Sequence, residues 1–478
     1  MAGVPAGANN LALTNTTLLS PVAGQITVQF DLSWDNSWRD STNYDACWVF
    51  VKYSTDKGSN WSHATLAVSG TNPPGFSNGV GADLDIIVPV DKTGAFIQRS
   101  APGAGTVSNT GARLAWDFAA DGVKKYQSVR VKVFAIEMVY VPEGPFWAGN
   151  TNGVIEDSFR VETDPNEPVY ISSTNQFTIY WGTIPSANVI SNAFPNGYAA
   201  FYLMKTEISQ GQYCDFLNTL KVNQQNYRHN DGLNFNSSRN FIKKTGARPA
   251  VFGCDANNNA GLPTAVTNVS NLNQTNDGEW VACNYITWMD GAAYADWAAL
   301  RPMTELEFEK ACRGPLPPVD GEYAWGDTIM ETATTGFSGT NTASETPNQG
   351  NCNYSGCSLR GPYRCGCYAD ISSTRAQAGA GYYGALDLSG SLIEWTVTVR
   401  ASDFTGAHGD GALSANGYAT VANWPGLSSG EIISYGNSGQ IAGHCYTGTN
   451  YARIANRNMN WNVTIENRQG WRAVRTAP

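Results

Sequence analysis

The sequence predicts an α+β protein that is rich in loops and divided into two parts. Residues 1–136 alternate apolar and polar residues, as strands do, and no helical period interrupts them. Residues 137–478 contain a few well-marked helices separated by long segments rich in Gly, Asn and Ser. A chain of 478 residues is also longer than one ordinary domain. We therefore expect an all-β domain at 1–136 joined to a larger, irregular domain at 137–478.

The first part is expected to be a β-sandwich of the immunoglobulin or fibronectin type. In QITVQFDLSW the apolar residues Ile26, Val28, Phe30 and Leu32 alternate with polar neighbours. Further strand candidates follow between turns that contain Gly, Asn or Asp, at the spacing typical of sandwiches. The segment VRVKVFAIEMVYVPEGPFWAGN then enters the second part without a Pro- or Ser-rich linker, so we expect a rigid junction.

Two helices of the second part carry start signals. The segment ISQGQYCDFLNTL begins with Ser209 and Gln212, which form the capping-box pattern. The segment MTELEFEKACRG repeats that pattern with Thr304 and Glu307, and Gly314 is a candidate C-cap. Between them, ITWMDGAAYADWAAL has apolar residues at helical spacing. Three helices are therefore predicted in an otherwise irregular part.

Charge and composition exclude several classes of protein. The formal net charge is −10, the isoelectric point is near 5.0, and no basic run is present, so we expect no nucleic-acid partner. No apolar stretch approaches the roughly 18 residues that a membrane span requires. Charged residues make up only 15%, a composition that favours an extracellular or cell-surface protein, although MAGVPAGANNLALTN lacks a signal-peptide pattern. Low charge also permits assembly into a homo-oligomer or polymer.

Four of the ten cysteines are clustered in one loop-rich segment. Cys352, Cys357, Cys365 and Cys367 are separated by five, eight and two positions. Disulfides are the favoured interpretation if the compartment is oxidising, and a zinc site is the alternative. Cys47 lies apart from this cluster in the apolar segment ACWVFVKY, where we expect it to be a small buried side chain.

Six segments follow one another in order, and they are MVYVPEGPFWAGN, YLMKTEISQGQYCDFLN, ITWMDGAAYADWAALRPMTELEFEKACRG, YAWGD, GYYGALDLSGSLIEWT and GWRAVR. This series resembles the motifs of the formylglycine-generating enzyme family, also called the sulfatase-modifying-factor domain. The resemblance covers residues 137–478 and implies a C-type-lectin-like fold with little regular structure. In DLSGSLIEWT, Glu394 and Trp395 occupy the acid and indole positions of the family motif.

The resemblance also implies copper chemistry, for which this chain is incomplete. The family oxidises a substrate cysteine with copper held by two thiolates five residues apart, and soft thiolates are the ligands that select Cu(I). Here Cys445 matches the first position, but Asn450 stands at the second. We therefore expect no copper site. If the chain is nevertheless a copper-dependent oxidase or oxygenase, Cys445, Trp461 and Glu394 are its candidate residues.

The acidic and basic residues of the motifs are interpreted as structural. Glu307 is expected to cap its helix, and Glu394 to accept hydrogen bonds from the backbone of a neighbouring loop. Arg301 and Arg472 are expected to pair with acids in the core. A loop-rich domain needs such partners for its buried polar groups.

Calcium is a further implication of the resemblance. Family members bind it through loop Asn, Asp and carbonyl oxygens, which hard cations prefer. Asn353 matches the first calcium Asn of the family, and Asp370 lies at a suitable distance in sequence to be its partner. The second family site uses an Asn that is Ser391 here. One calcium site, at Asn353 and Asp370, is therefore predicted.

The last candidate site is a surface for recognition. The same fold serves as a display scaffold in receptor-binding proteins, whose variable residues precede the final motif. The corresponding stretch here contains the candidate ligand-binding residues Asn450, Tyr451, Asn458, Asn460 and Trp461. An ordinary polar loop is the alternative interpretation. The sequence thus predicts a non-catalytic surface protein that binds a glycan or protein, or assembles into a layer, sheath or filament. A copper oxidase and a variable lectin-like display protein remain alternatives.

Overall fold

The computed structural model describes most of the chain, and strands outnumber helices in it. The described residues are 10–152, 158–162, 164–181, 187–229, 238–262, 265–331, 336–354, 359, 361–401, 403–428, 431–432, 438–441, 448–457 and 465–478. Nine strands precede residue 142, and they are β1 (Ala12–Leu18), β2 (Ile26–Arg39), β3 (Asp45–Ser54), β4 (Ser62–His63), β5 (Gly70–Thr71), β6 (Leu84–Val88), β7 (Ala95–Arg99), β8 (Gly103–Trp116) and β9 (Arg130–Val141).

The remaining strands are short, which gives the second part its irregular character. They are β10 (Phe146–Ala148), β11 (Phe159–Arg160), β12 (Val169–Ile171), β13 (Phe177–Trp181), β14 (Asn188–Ile190), β15 (Phe201–Met204), β16 (Ile242–Lys244), β17 (Phe252–Cys254), β18 (Gly261–Leu262), β19 (Ala265–Val266), β20 (Arg301–Pro302), β21 (Phe337–Ser338), β22 (Thr346–Pro347), β23 (Ile393–Val397), β24 (Leu427–Ser428), β25 (Glu431–Ile432), β26 (Ser438–Ile441), β27 (Gln469–Gly470) and β28 (Ala473–Thr476).

The α-helices of the described ranges lie between residues 210 and 313. They are α1 (Gln210–Leu217), α2 (Val222–Arg228), α3 (Trp288–Trp297) and α4 (Glu305–Arg313), and two 3₁₀ helices lie at Val269–Asn271 and Thr449–Ala452. The predicted capping boxes of α1 and α4 are both formed. Gly314 ends α4 at φ 68°, which is left-handed backbone, and a Cβ there would lie 2.3 Å from the Tyr382 ring. These local predictions are confirmed.

One long sheet connects the two parts of the chain. Its strand order is β20-β28-β15-β9-β3-β7-β6-β5, so β9 pairs with β3 on one side and with β15 on the other. Met138, for example, pairs with both Ala46 and Met204. Because β9 spans residues 130–141, it crosses the predicted boundary between residues 136 and 137. The junction is therefore a shared sheet, with no linker between the parts.

Strand β3 is buried on both faces of this sheet. Its residues Cys47, Val49 and Val51 pack into the core formed with the smaller sheet β1-β2-β8. The intervening residues Trp48 and Phe50 pack into the core that contains α1 and α3. This position explains why ACWVFVKY is apolar throughout, since strands covered on both faces lose the alternating pattern. Cys47 is buried, as predicted.

Candidate functional site

The carboxylate of Glu394 is bound by one arginine. Glu394 lies on β23 and is fully buried, as is Arg472, which precedes β28. The Arg472 guanidinium donates to the carboxylate from Nε at 3.0 and 3.1 Å and from Nη2 at 2.7 Å. The same guanidinium donates to the backbone carbonyls of Met204, Lys205 and Leu386 at 2.7 to 3.0 Å. Arg472 therefore ties β15 and the loop before β23 to one acid.

The expectation that Arg472 pairs with an acid is confirmed, but the expected partner of Glu394 is wrong. Its carboxylate accepts from a guanidinium and, among the described residues, not from a loop backbone. Glu207 has the role that we assigned to Glu394, because its Oε1 accepts a hydrogen bond from the Leu392 N–H at 2.9 Å. Burial raises the pKa of both Glu207 and Glu394, and Arg472 opposes the increase in each. The arrangement gives Glu394 a structural role.

The other predicted pair is also formed. Arg301 donates from Nη2 to Glu307 Oε1 at 2.6 Å and from Nη1 to Glu307 Oε2 at 2.9 Å. The same Glu307 carboxylate accepts from the Thr304 N–H at 3.0 Å, so Glu307 both caps the N-terminus of α4 and binds Arg301. Arg457, which we did not single out, donates to Glu305 at 2.9 Å and lies 2.6 Å from Glu309. Buried ion pairs thus connect α4 to Arg301 of β20 and to the segment that contains Arg457.

The segment that the resemblance assigns to copper is described only in part. Cys445, Asn458, Asn460 and Trp461 lie outside the described residues. Asn450 and Tyr451 are both exposed in the 3₁₀ helix Thr449–Ala452, and Tyr451 retains 39% of its surface. The backbone carbonyl of Asn450 accepts a hydrogen bond from Asn456 Nδ2 at 3.0 Å. Asn450, at the second copper position, therefore has an exposed side-chain amide, and Asn456 binds its backbone carbonyl.

The clustered cysteines do not form the predicted disulfides with one another where they are described. Cys365 and Cys367 are free thiols, and Cys357 lies outside the described residues. Cys352 Sγ donates to the Ser389 carbonyl at 2.9 Å, and Cys365 Sγ donates to the Glu207 carbonyl at 3.5 Å. Burial raises the pKa of the Cys365 and Cys367 thiols, which favours the protonated form. Within the described ranges, no three His, Cys, Asp or Glu side chains are grouped to hold a metal.

The two predicted calcium residues differ in their surroundings. Asn353 is buried, its Nδ2 donates to the Gly361 carbonyl at 3.1 Å, and its Oδ1 accepts no hydrogen bond from the described residues. Asp370 is exposed, and its Oδ1 accepts from the N–H and hydroxyl of Ser372, both at 2.7 Å. These hydrogen bonds lower the pKa of Asp370. Asn353 thus offers a buried oxygen, while Asp370 caps its own turn.

A cavity of about 430 Å³ lies between the two parts of the chain, and sequence reasoning missed it. Leu11, Phe50 and Phe134 line it from the N-terminal part, and Asp215 and Trp280 line it from the C-terminal part. Its walls come from segments far apart in sequence, and the motifs among them, such as YLMKTEISQGQYCDFLN, do not by themselves indicate a cavity. The observed pairing of β9 with β3 and β15 brings the walls at Phe50, Phe134 and Met204 together.

The fold is thus an α+β domain with little regular structure, joined through one sheet to an N-terminal β domain and held by buried arginine–carboxylate pairs. A family model described as the sulfatase-modifying factor enzyme 1-like domain matches residues 127–477. The chain belongs to this family. A search of curated proteins gives no match. In the part of the chain that the structure describes, no helix is long and apolar enough to cross a membrane.

Proposed function

We propose that this chain is a non-catalytic extracellular or cell-surface protein that uses the family scaffold to bind a glycan or protein ligand. The observation that carries the proposal is Asn450, an exposed amide where the resemblance requires a second thiolate. An amide oxygen is a hard ligand and does not replace a thiolate for Cu(I). The enclosure of Glu394 by Arg472 supports the proposal, because that acid has no access to a substrate.

The proposed recognition surface consists of exposed side chains on a segment that is anchored by a buried residue. Asn450 and Tyr451 are exposed, whereas Arg457, a few residues later, is buried and paired with two acids of α4. A loop held at its base presents the same surface to each ligand, and exposed Tyr and Asn suit adaptable contacts. Asn458, Asn460 and Trp461 are proposed to extend this surface.

Copper titration separates the binding function from the enzyme alternative. We expect the purified protein to take up no Cu(I) tightly and the Cys445→Ser variant to behave identically. The Asn450→Cys variant should instead gain tight uptake, because it restores two thiolates at the family spacing. Tight uptake by the native chain that is lost in Cys445→Ser would refute the binding proposal and favour the oxidase.

The recognition surface is tested on an array of eukaryotic and bacterial surface glycans. We expect binding to selected glycans that falls about fivefold or more in Tyr451→Ala, since a single aromatic contact is worth about 1 kcal/mol or more. Tyr126→Ala is the matched control, because Tyr126 is 92% exposed and lies in the N-terminal part. An equal loss in both variants would contradict a surface centred on Tyr451.

Self-assembly is a second candidate, favoured by strand β1. This strand pairs with β2 and, where the structure is described, with no other strand. Its sequence ALTNTTL carries no charge and no proline, and five of its seven residues are exposed. An uncharged edge of this kind can accept a strand from a second copy, although a bulge between Thr14 and Thr17 interrupts it.

Electron microscopy of the concentrated protein tests this candidate. We expect ordered polymers that disappear in the double variant Thr14→Lys/Thr16→Lys, because lysines on an edge oppose strand addition. Ser41→Lys/Thr42→Lys, in an exposed turn, is the control with the same added charge. Uniform monomers of the native chain at high concentration would contradict assembly.

A further inference from the structure

We propose that the cavity between the two parts binds an organic cation, with an alkylammonium group placed between Asp215 and Glu279 and its carbon chain against aromatic side chains. The cavity volume of about 430 Å³ lies in the range of sites for small organic ligands. This site is separate from the surface at Asn450 and Tyr451, so it adds to the function proposed above.

The two carboxylates lie on the same side of α1. Asp215 is four residues after Gly211, which places both on one helix face. A Cβ on Gly211 would lie 3.1 Å from Cβ of Glu279, so Glu279 packs directly against that face. Both carboxylates line the same cavity. A ligand in the cavity therefore meets two acids together.

The other charged groups that line the cavity already have partners. Lys205 Nζ lies 2.9 Å from Glu137 Oε1, and Arg364 Nε donates to the Glu345 carbonyl at 2.6 Å. Glu279 Oε2 is shielded from solvent and accepts no hydrogen bond within the described residues. The cavity thus has a surplus of negative charge at Asp215 and Glu279.

Among the described residues, Asp215 forms no direct salt bridge, although Lys132 is near enough to act on its charge. Although its side chain is exposed at the mouth of the cavity, the surrounding protein raises the pKa of Asp215 to about 6, and Lys132 opposes the increase only in part. Lys132 Nζ lies 5.0 Å from the centroid of the Trp61 ring. A bound cation would stabilise the ionised form of Asp215.

Much of the remaining wall is aromatic. Tyr294 and Trp297 enter from α3, Phe50 from β3 and Phe134 from β9, while Trp280 adjoins Glu279 in sequence. Ring faces attract ammonium groups and pack against methylene chains. The protein uses this chemistry nearby, since Lys52 Nζ lies 5.3 Å from the centroid of the Trp297 ring. The described side chains form no group that suits a metal ion, so an organic cation fits the site better.

Three probes of equal chain length test the assignment by calorimetry on the full chain. Pentylamine carries a positive charge at neutral pH, 1-pentanol is neutral and pentanoate is negative. We expect saturable binding of pentylamine alone. Asp215→Asn and Glu279→Gln should each weaken it about threefold to tenfold, as for a partly exposed ion pair with an aromatic neighbour. Asp83→Asn, an exposed acid outside the cavity, should have no effect.

Binding of 1-pentanol as tightly as pentylamine would overturn the proposal, and so would pentylamine binding that both acid variants leave unchanged. If a variant does not fold, the salt dependence of pentylamine binding to the native chain still tests the proposal. Binding between charged groups must weaken as the sodium chloride concentration is raised, so binding that is independent of salt would refute it. Spermidine and an acetylated Gly-Lys-Gly amide then tell a free polyamine from a lysine side chain of a partner. Neither result depends on copper or on Tyr451, so this test fails or succeeds independently of the proposed function.

Discussion

Removal of Arg472 should destabilise the protein far more than neutralisation of its acid. Arg472→Met leaves the Glu394 carboxylate buried and unpaired, which costs about 3 to 5 kcal/mol in comparable pairs. It also leaves the carbonyls of Met204, Lys205 and Leu386 without this donor, at about 1 kcal/mol or more each. The expected loss in free energy of unfolding is therefore at least about 6 kcal/mol.

Glu394→Gln should cost only about 3 kcal/mol, because Arg472 keeps its three carbonyl partners. The acids Glu207 and Asp387 also remain near the guanidinium, and both raise the pKa of Arg472. The double variant Glu394→Gln/Arg472→Met should be more stable than Arg472→Met alone, since it no longer buries an unpaired charge.

Urea unfolding followed by tryptophan fluorescence measures all three variants on one scale. If Arg472→Met does not fold, Arg472→Lys replaces it, because lysine keeps the charge but cannot serve a carboxylate and three carbonyls at once. The reasoning is refuted if Glu394→Gln costs as much as the arginine variant, or if the double variant is the least stable of the three.

Three further predictions concern packing, pH and calcium. Gly291→Ala on α3 should lower the free energy of unfolding by about 3 kcal/mol or more, since the added Cβ would lie 2.0 Å from the Trp471 ring. The control is Gly246→Ala, whose added Cβ meets no atom within 4 Å and which should cost less than about 1 kcal/mol. Burial lowers the pKa of Lys52 from 10.5 to about 7, so the folded state disfavours the charged form of this side chain. The urea midpoint of the native chain, measured relative to that of Lys52→Met, should therefore rise from pH 7 to pH 10. A difference between the two midpoints that stays constant with pH would contradict this. Calcium should bind in calorimetry at Asn353 and Asp370, and the binding should be lost in Asn353→Ala. No calcium binding by the native chain would refute the site, and binding that persists in Asn353→Ala would exclude Asn353 as a ligand.

The capping boxes, which the sequence predicted correctly, depend on residues close together in the chain. The capping box of Thr304 and Glu307 involves positions three apart, and the Arg301–Glu307 pair involves positions six apart. Backbone geometry alone brings such residues into contact, so local patterns suffice. The partner of Glu394 lies 78 positions away and is fixed by how β23 and β28 are placed, which no local pattern encodes.

Two other differences have separate physical causes. The disulfide prediction rested on an expected oxidising compartment, but the described thiols of Cys352 and Cys365 donate to backbone carbonyls. The cavity escaped prediction because aromatic and acidic residues such as Trp297 and Asp215 are ordinary on helices. They become a site only when a sheet from another part of the chain closes over them.

The shared strand β9 also determines how the molecule carries mechanical load. When the N-terminal part is pulled in the direction of β9, the hydrogen bonds of β9 to β3 and β15 are loaded in shear. These hydrogen bonds must then break together, whereas a strand peeled from a sheet loses its hydrogen bonds one at a time. A cut after residue 136 would divide this strand and bare two sheet edges, so the halves are unsuited to separate expression. Anything tethered through one half is thus coupled directly to the other.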